Sequence, residues 1–388
     1  MNVEVYPWEK IIEEGKARII IPDPALFTRS DGKYEPAWAP VFYNPLMKLN
    51  RDLTVIITRT MYPSGGFFVE ALGGSGVRGA RLGVEAGMEG IINDVDPIAH
   101  YYIRRNIILN GLENRLEAYM HEANSLLNSL TFTGVFIDYI DLDPYGSPIP
   151  FIDSAVKPLA KKALLGVTAT DTGPLTCSHP RKMLRRYGVR CTDVDFSKEL
   201  GLRVLIYNLV YRASGQDVAL YPILSYSYKY YYRVFFKTIR SSQACYELLE
   251  QCRGYIWYCR DNLARDYIRE PGEIPRFSCR DPVVLGPLWI CSIGDYGFTE
   301  DILSRGYEDI YRDGVEFVRS IRSDYLVNTP YYRYDMLFGR FKKNMPPIRE
   351  FIDRIRDYGY KAYRSHFDPR GVKTDAPYEV LVEVVNAF

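Results

Sequence analysis

Three short stretches carry residue types suited to chemistry on a flat nitrogen base. They are Glu70-Ala-Leu-Gly-Gly-Ser-Gly-Val-Arg-Gly79, Asn93-Asp-Val-Asp-Pro97 and Asp141-Leu-Asp-Pro-Tyr-Gly146. In that order, a glycine-rich turn can hold a cofactor, an acid at the next strand tip its ribose, and an Asp-Pro-Tyr corner a base. This suits methyl transfer to an exocyclic amine. Such an amine on a purine is a poor nucleophile because its lone pair is delocalised into the ring, so a carboxylate must polarise the N–H bond as nitrogen attacks. Asp143 is the candidate proton acceptor, Pro144 stiffens the corner and Tyr145 offers a face for stacking. Asp138 and Asp141 lie on the same segment and compete for the acid role; strand alternation points Tyr139, Asp141 and Asp143 to one side, so spacing leaves the choice of carboxylate open. An ordinary Asp-Pro turn before a half-buried tyrosine has the same local sequence.

The candidate cofactor cradle is Gly73, Gly74, Gly76 and Arg78. Gly74-Ser-Gly76-Val-Arg-Gly79, with Asp94 about twenty residues on, also fits the dinucleotide fingerprint, which keeps a nicotinamide or flavin oxidoreductase as an alternative. A plain tight turn fits too. Glycines let backbone approach a ligand, and the N–H groups of a following helix suit any anion, including the carboxylate of a methionine moiety. Glu70 is placed to accept from the amino group of S-adenosylmethionine and would repel a pyrophosphate. Glu122-Ala123-Asn124 is placed to accept from an adenine amino group. Acids at three successive strand tips favour a cationic cofactor over three unrelated solvated carboxylates.

The elements that must position these residues alternate regularly. Strands are expected at Phe67–Val69, Gly90–Ile92, Leu116–Met120, Gly134–Asp141 and Ala163–Thr170, and helices at Val77–Ala86, Ile98–Leu109, Pro150–Lys161 and Val189–Ser214. This is an α/β, doubly wound, Rossmann-like parallel sheet. Tyr221–Lys237 is aromatic and β-branched and predicts a strand pair instead of another crossover. The boundary is therefore placed near Leu220, giving a cofactor-binding catalytic domain over 1–219 and a C-terminal α+β domain over 220–388. Residues 1–65 form an extension rich in Pro, Trp and Tyr, a candidate lid or substrate wall.

The 388 residues are enough for two cores. Lys and Arg number 49 against 48 Asp and Glu, so a polyanion would have to be met by local patches. Candidates are Arg181-Lys182 with Arg185-Arg186 on one helical side, and Arg340–Lys343. Seven cysteines, an odd count without close pairs or a preceding signal peptide, predict a reducing, cytoplasmic setting. Cys245, Cys252 and Cys259 recur every seven residues, which predicts one helical face and core packing. Thirty-three tyrosines against three glutamines suit a heat-adapted source. No apolar run is long enough to cross a bilayer.

The chain resembles the tRNA guanine-N2 dimethyltransferases of archaeal type, which modify guanosine 26. The likeness runs through Phe42-Tyr-Asn-Pro45, Asn50-Arg-Asp52, the three stretches above, Thr168-Ala-Thr-Asp-Thr172 and Cys177-Ser-His-Pro180. It continues through Gly286-Pro-Leu-Trp289, Ser365-His-Phe367 and Val372–Pro377. The resemblance implies an S-adenosylmethionine-dependent methyltransferase that adds one or two methyl groups to guanine N2 of tRNA, with no membrane and no obligate protein partner. It implies that Arg51 reaches the cofactor from the extension, that Asp94, Glu122 and Ala123 contact ribose and adenine, that Asp143 accepts the proton, and that Phe42 and Tyr145 hold the base. An adenine N6 or ribosomal guanine N2 enzyme, or a tRNA binder without catalysis, are the alternatives. Many members carry paired cysteines before Gly-Pro-Leu-Trp and a Phe where Tyr145 stands. This chain keeps only Cys259 and Cys279, with Asn262 and Asp281 nearby, and no metal is expected.

Overall fold

The computed structural model describes residues 3–273, 275 and 278–388. The extension opens with a hairpin of β1 (Glu9–Glu14) and β2 (Ala17–Pro22), then enters helix α1 (Lys48–Met61). The expected alternation follows as β3 (Phe67–Glu70), α2 (Val77–Ala86), β4 (Glu89–Asn93), α3 (Pro97–Leu109), β5 (Leu116–Tyr119), α4 (Ala123–Leu130), β6 (Ile137–Leu142), α5 (Ile152–Ala155) and β7 (Leu159–Ala169). Two short helices, α6 (Thr172–Leu175) and α7 (Pro180–Tyr187), precede the long α8 (Ser197–Ser214), and the chain returns through β8 (Val218–Tyr228) and β9 (Tyr231–Arg240).

These strands form one seven-stranded sheet in the order β5-β4-β3-β6-β7-β9-β8, parallel as far as β7 and antiparallel beyond it. The strand order reverses between β3 and β6, so the crevice for a ligand lies outside the carboxyl ends of those two strands. Glu70 and Asp143 stand there.

The Tyr221–Lys237 strand pair exists, but it lies in this same sheet. β9 hydrogen-bonds along β7 from Tyr232 to Ile239, so the expected boundary at 219/220 falls inside β8. Two further expectations need correction. Pro150–Lys161 is helical only over α5, because Leu159 already begins a strand whose inward residues are buried. The 189–214 helix begins at Ser197, after an irregular segment that carries Asp195.

The remaining chain builds two three-stranded antiparallel sheets. Helix α9 (Ser242–Cys252) leads into β10 (Arg253–Cys259), β11 (Arg265–Ile268) and β12 (Pro282–Trp289). Helices α10 (Tyr296–Ser304) and α11 (Glu308–Ile321) come next, followed by β13 (Tyr332–Arg333), α12 (Tyr334–Arg340), α13 (Ile348–Asp357), β14 (Ala362–Arg364), β15 (Gly371–Thr374) and α14 (Tyr378–Asn386). The buried Glu199 and Arg203 of α8 fasten this part to the sheet: Arg203 donates to the Trp289 and Cys291 carbonyls, and Lys373 to Glu199 at 2.9 Å. Among the described residues no helix is long and apolar enough to cross a membrane.

The odd count and wide spacing of the cysteines do not mean that they are unpaired. Cys177–Cys191, Cys252–Cys291 and Cys259–Cys279 are disulfides and only Cys245 is free. Partners sit on different elements, 14 to 39 residues apart, so sequence spacing does not display the pairing. Nor do the three cysteines share a helix, since Cys259 ends strand β10. Disulfides also occur in intracellular proteins of hyperthermophiles, so these three do not name a compartment.

Candidate active site

The glycine turn is built by backbone geometry. Gly74 and Gly76 have φ of +54° and +74°, in the left-handed region that side chains disfavour. The turn is clamped from two sides. Asp94, at the tip of β4, accepts from the Gly74 N–H at 2.8 Å, and the Phe42 carbonyl of the extension accepts from Ser75 N–H at 3.3 Å. The extension therefore passes directly over the turn. Glu122 caps α4, accepting from the Asn124 and Ser125 N–H groups, and Ala123 is buried beneath it.

The base corner is equally fixed. Gly146 N–H donates to Thr170 Oγ1 at 2.7 Å and the Gly146 carbonyl accepts from Thr170 N–H at 2.8 Å, tying the corner to the end of β7. Tyr145 is 71% exposed and meets Phe42 edge-on, ring centroids 4.9 Å apart. A base can lie on the open Tyr145 face with Phe42 as a side wall.

The three competing acids separate by environment. Asp138 accepts from the Phe67 N–H at 2.9 Å. Asp141 is fully buried and bonded to Tyr139 and Arg233. Asp138 and Asp143 both keep some solvent contact, and 19% of the Asp143 side chain is exposed. Asp143 Oδ2 takes a hydrogen bond from Arg78 Nη2, and among the described residues Oδ1 has no protein partner.

Arg78 is the hub of this cluster. Its Nη1 donates to Asn50 Oδ1 at 2.8 Å and Thr54 Oγ1 at 2.9 Å, and its Nε lies 3.4 Å from Glu70 and 3.3 Å from Asp141. Glu70 accepts the Gly79 N–H at 2.9 Å and is only 3% exposed, so its carboxyl faces the fold interior. Burial pushes the Glu70 carboxyl up to about 8, against the pull of Arg78 and with the reinforcement of Asp141. Burial also opposes charge on Asp141, yet Arg233 and Arg78 hold it below the usual carboxylate range.

Arg51 sits in a second buried cluster. Its guanidinium pairs with Glu14 of β1, through Nε at 2.6 Å and Nη2 at 2.5 Å, and donates to the Asn44 carbonyl. Arg81 reaches Glu14 at 3.0 Å and Asp52 at 2.7 Å. Arg51 thus ties the β1–β2 hairpin to α1 behind the Phe42–Pro45 segment. The sequence reading missed Arg233, whose signal was a lone charge inside the apolar run Tyr231-Tyr-Arg-Val-Phe-Phe236, and Glu14, which had none.

Residues 15–386 match the sequence family described as N2,N2-dimethylguanosine tRNA methyltransferase. A tRNA (guanine(26)-N(2))-dimethyltransferase of Metallosphaera sedula is 36% identical over 96% of this chain and 95% of its own length. The chain belongs to the N2,N2-dimethylguanosine tRNA methyltransferase family. Its members include the Aeropyrum pernix tRNA (guanine(26)-N(2))-dimethyltransferase, 34% identical over 97% of this chain and 96% of its own length. The solved structure of Trm1 from Pyrococcus horikoshii with S-adenosyl-L-methionine superposes with a TM-score of 0.83 at 29% identity, covering 97% of this chain and 99% of that one. Membership in this methyltransferase family answers the nicotinamide alternative: the glycine fingerprint is shared, but the acids at the strand tips and the Asp-Pro-Tyr corner are not explained by it.

The Cys259–Asp261–Cys279 group is the one cluster of metal-ligand type among the described residues. Its two sulfurs are joined as a disulfide, which withdraws them as thiolate ligands.

Proposed function

We propose that this protein transfers methyl groups from S-adenosylmethionine to the exocyclic N2 of guanine 26 in tRNA. The observation that carries the reading is the solvent-reaching Asp143 carboxylate beside the Tyr145–Phe42 pair, at the edge where the strand order reverses. The turn at Gly73, Gly74 and Gly76, with the N-terminus of α2, suits the methionine end of the cofactor. Asp94, Glu122 and Ala123 line the edge where ribose and adenine would rest. An acidic edge with a backbone cradle fits a sulfonium-bearing nucleoside and does not fit a pyrophosphate. When bound, S-adenosylmethionine supplies an electrophilic methyl group.

The target guanine leaves its stack, because its N2 edge is otherwise paired or buried in a groove. Tyr145 receives its face and Phe42 its edge. Asp143 Oδ1 takes the N2 proton as the nitrogen lone pair is committed to the new bond, while Arg78 holds Oδ2 still. Glu70 and Arg51 then serve by supporting this geometry from beneath, through Gly79 and Glu14. In this reading residues beyond Arg240, together with the exposed Arg181, Lys182 and Arg185 of α7, grip tRNA, and the enzyme works in the cytoplasm.

Incubation with S-adenosylmethionine and tRNA transcripts carrying guanosine or adenosine at position 26, followed by nucleoside analysis, tests the reading. N2-methylated guanosine from the first transcript alone is expected. Methylation of both equally, or of neither, rejects it.

A further inference from the structure

A cavity of about 390 Å³ opens between the end of β8 and the Arg364–His366 segment at the end of β14. Its cations are Lys198 at the start of α8, Lys229 in the β8–β9 turn and Arg364, and none of its nine lining residues is acidic. Lys198 donates to the Phe367 carbonyl at 2.9 Å and Lys229 lies 5.2 Å over the Tyr228 ring, while among the described residues none of the three forms an ion pair. Tyr228 and Phe317 meet edge-on in the wall, centroids 5.4 Å apart.

The wall is held by a buried acid. Asp324 bonds His366 Nδ1 at 2.7 Å and Ser365 Oγ at 2.7 Å, which leaves His366 Nε2 to accept the Ser227 N–H at 3.2 Å. Cationic tips therefore project from a rigid rim. Lys229 occupies the left-handed region, φ +50°, at the hairpin turn. The next residue, Tyr230, accepts from Asn44 Nδ2 at 2.6 Å, and Asn44 is two residues from Phe42. One turn thus joins the cavity to the aromatic wall of the base site.

We propose that this cavity is an RNA subsite, in which Lys198, Lys229 and Arg364 engage backbone phosphate near the target guanosine and Tyr228 with Phe317 contact the adjoining base or ribose. The inference rests on the tRNA reading above. Three unpaired cations match the charge of a phosphodiester backbone, and aromatic walls are what a single-stranded or splayed nucleotide uses. A small free anion would leave most of the volume unfilled.

The test measures transcript binding across a salt series and methylation kinetics for wild type, Lys229→Ala/Arg364→Ala and the charge-keeping Lys229→Arg/Arg364→Lys, with S-adenosylhomocysteine affinity and melting temperature alongside. The alanine pair is expected to weaken RNA binding and raise KM for tRNA roughly tenfold, and to flatten the log–log salt slope by about 1 to 2, with S-adenosylhomocysteine affinity kept and most of the loss restored by the charge-keeping pair. Unchanged RNA affinity and slope in the alanine pair, with wild type methylating tRNA, overturns the subsite alone. A wild type that binds transcript through these residues but leaves guanine 26 unmethylated overturns the catalytic reading alone; one that does neither overturns both.

Discussion

Arg78 donates to Asp143, and the same guanidinium reaches Asn50 and Thr54 of α1 and lies against Glu70 and Asp141. The proposed proton acceptor is therefore positioned by an arginine whose other contacts are wholly internal. An acid on a loop corner acquires the rigidity of the sheet and of α1 together.

Replacing Arg78 with Met is expected to leave three buried or half-buried carboxyl groups without their common counter-charge. Loss of one partner from a buried pair costs about 3–5 kcal/mol, so denaturant unfolding should show a stability loss of that order. Arg78→Lys keeps the charge but has no planar fork, and should restore part of the stability while methyl transfer stays impaired.

Glu14 gives the fold an acid-sensitive fastening. Burial opposes its charge, but Arg51 and Arg81 hold its carboxyl at about 2, below the 4.5 of the free side chain. A depressed carboxyl stabilises the fold above the unfolded value and loses that contribution as pH falls from 4.5 through 2. The expected difference between wild type and Glu14→Gln is roughly 3 kcal/mol at pH 7, closing towards pH 2, as followed by thermal or denaturant unfolding across pH. A constant gap over that range would place the fastening elsewhere.

Tyr145 meets Phe42 edge-on and is mostly exposed, so its removal should spare stability and injure base capture. Base–aromatic stacking is worth about 1–3 kcal/mol, which predicts a loss of about 5- to 150-fold in kcat/KM for tRNA in Tyr145→Ala. Tyr145→Phe keeps the ring and should stay close to wild type. Steady-state kinetics on the two variants separates ring from hydroxyl.

Much of this arrangement was legible in the chain because it is local. Gly74 to Gly79, Asp94 and the Asp143–Gly146 corner each sit where a short apolar strand of the β/α alternation gives way to a turn, so their order along the chain puts them on one edge. The hairpin at Tyr221–Lys237 was equally readable as strands, but its sheet was not, since pairing with β7 is a long-range event that alternation does not encode. Charge clusters failed for the same reason. Glu14 with Arg51 and Arg233 with Asp141 are 37 and 92 residues apart, and a buried ion pair leaves no periodic trace. Glu70 shows the limit from the other side: its strand-tip position was read correctly, but a tip can turn inward, and here it turns towards the Gly79 N–H.

The most direct measurement is single-turnover methyl transfer to a guanosine-26 transcript by Asp143→Ala, with S-adenosylhomocysteine affinity measured on the same preparation. Loss of a positioned proton acceptor should slow transfer by at least about 100-fold while that affinity is retained. An Asp143→Ala enzyme that methylates guanine N2 at the wild-type rate would contradict the assignment of Asp143 as the proton acceptor.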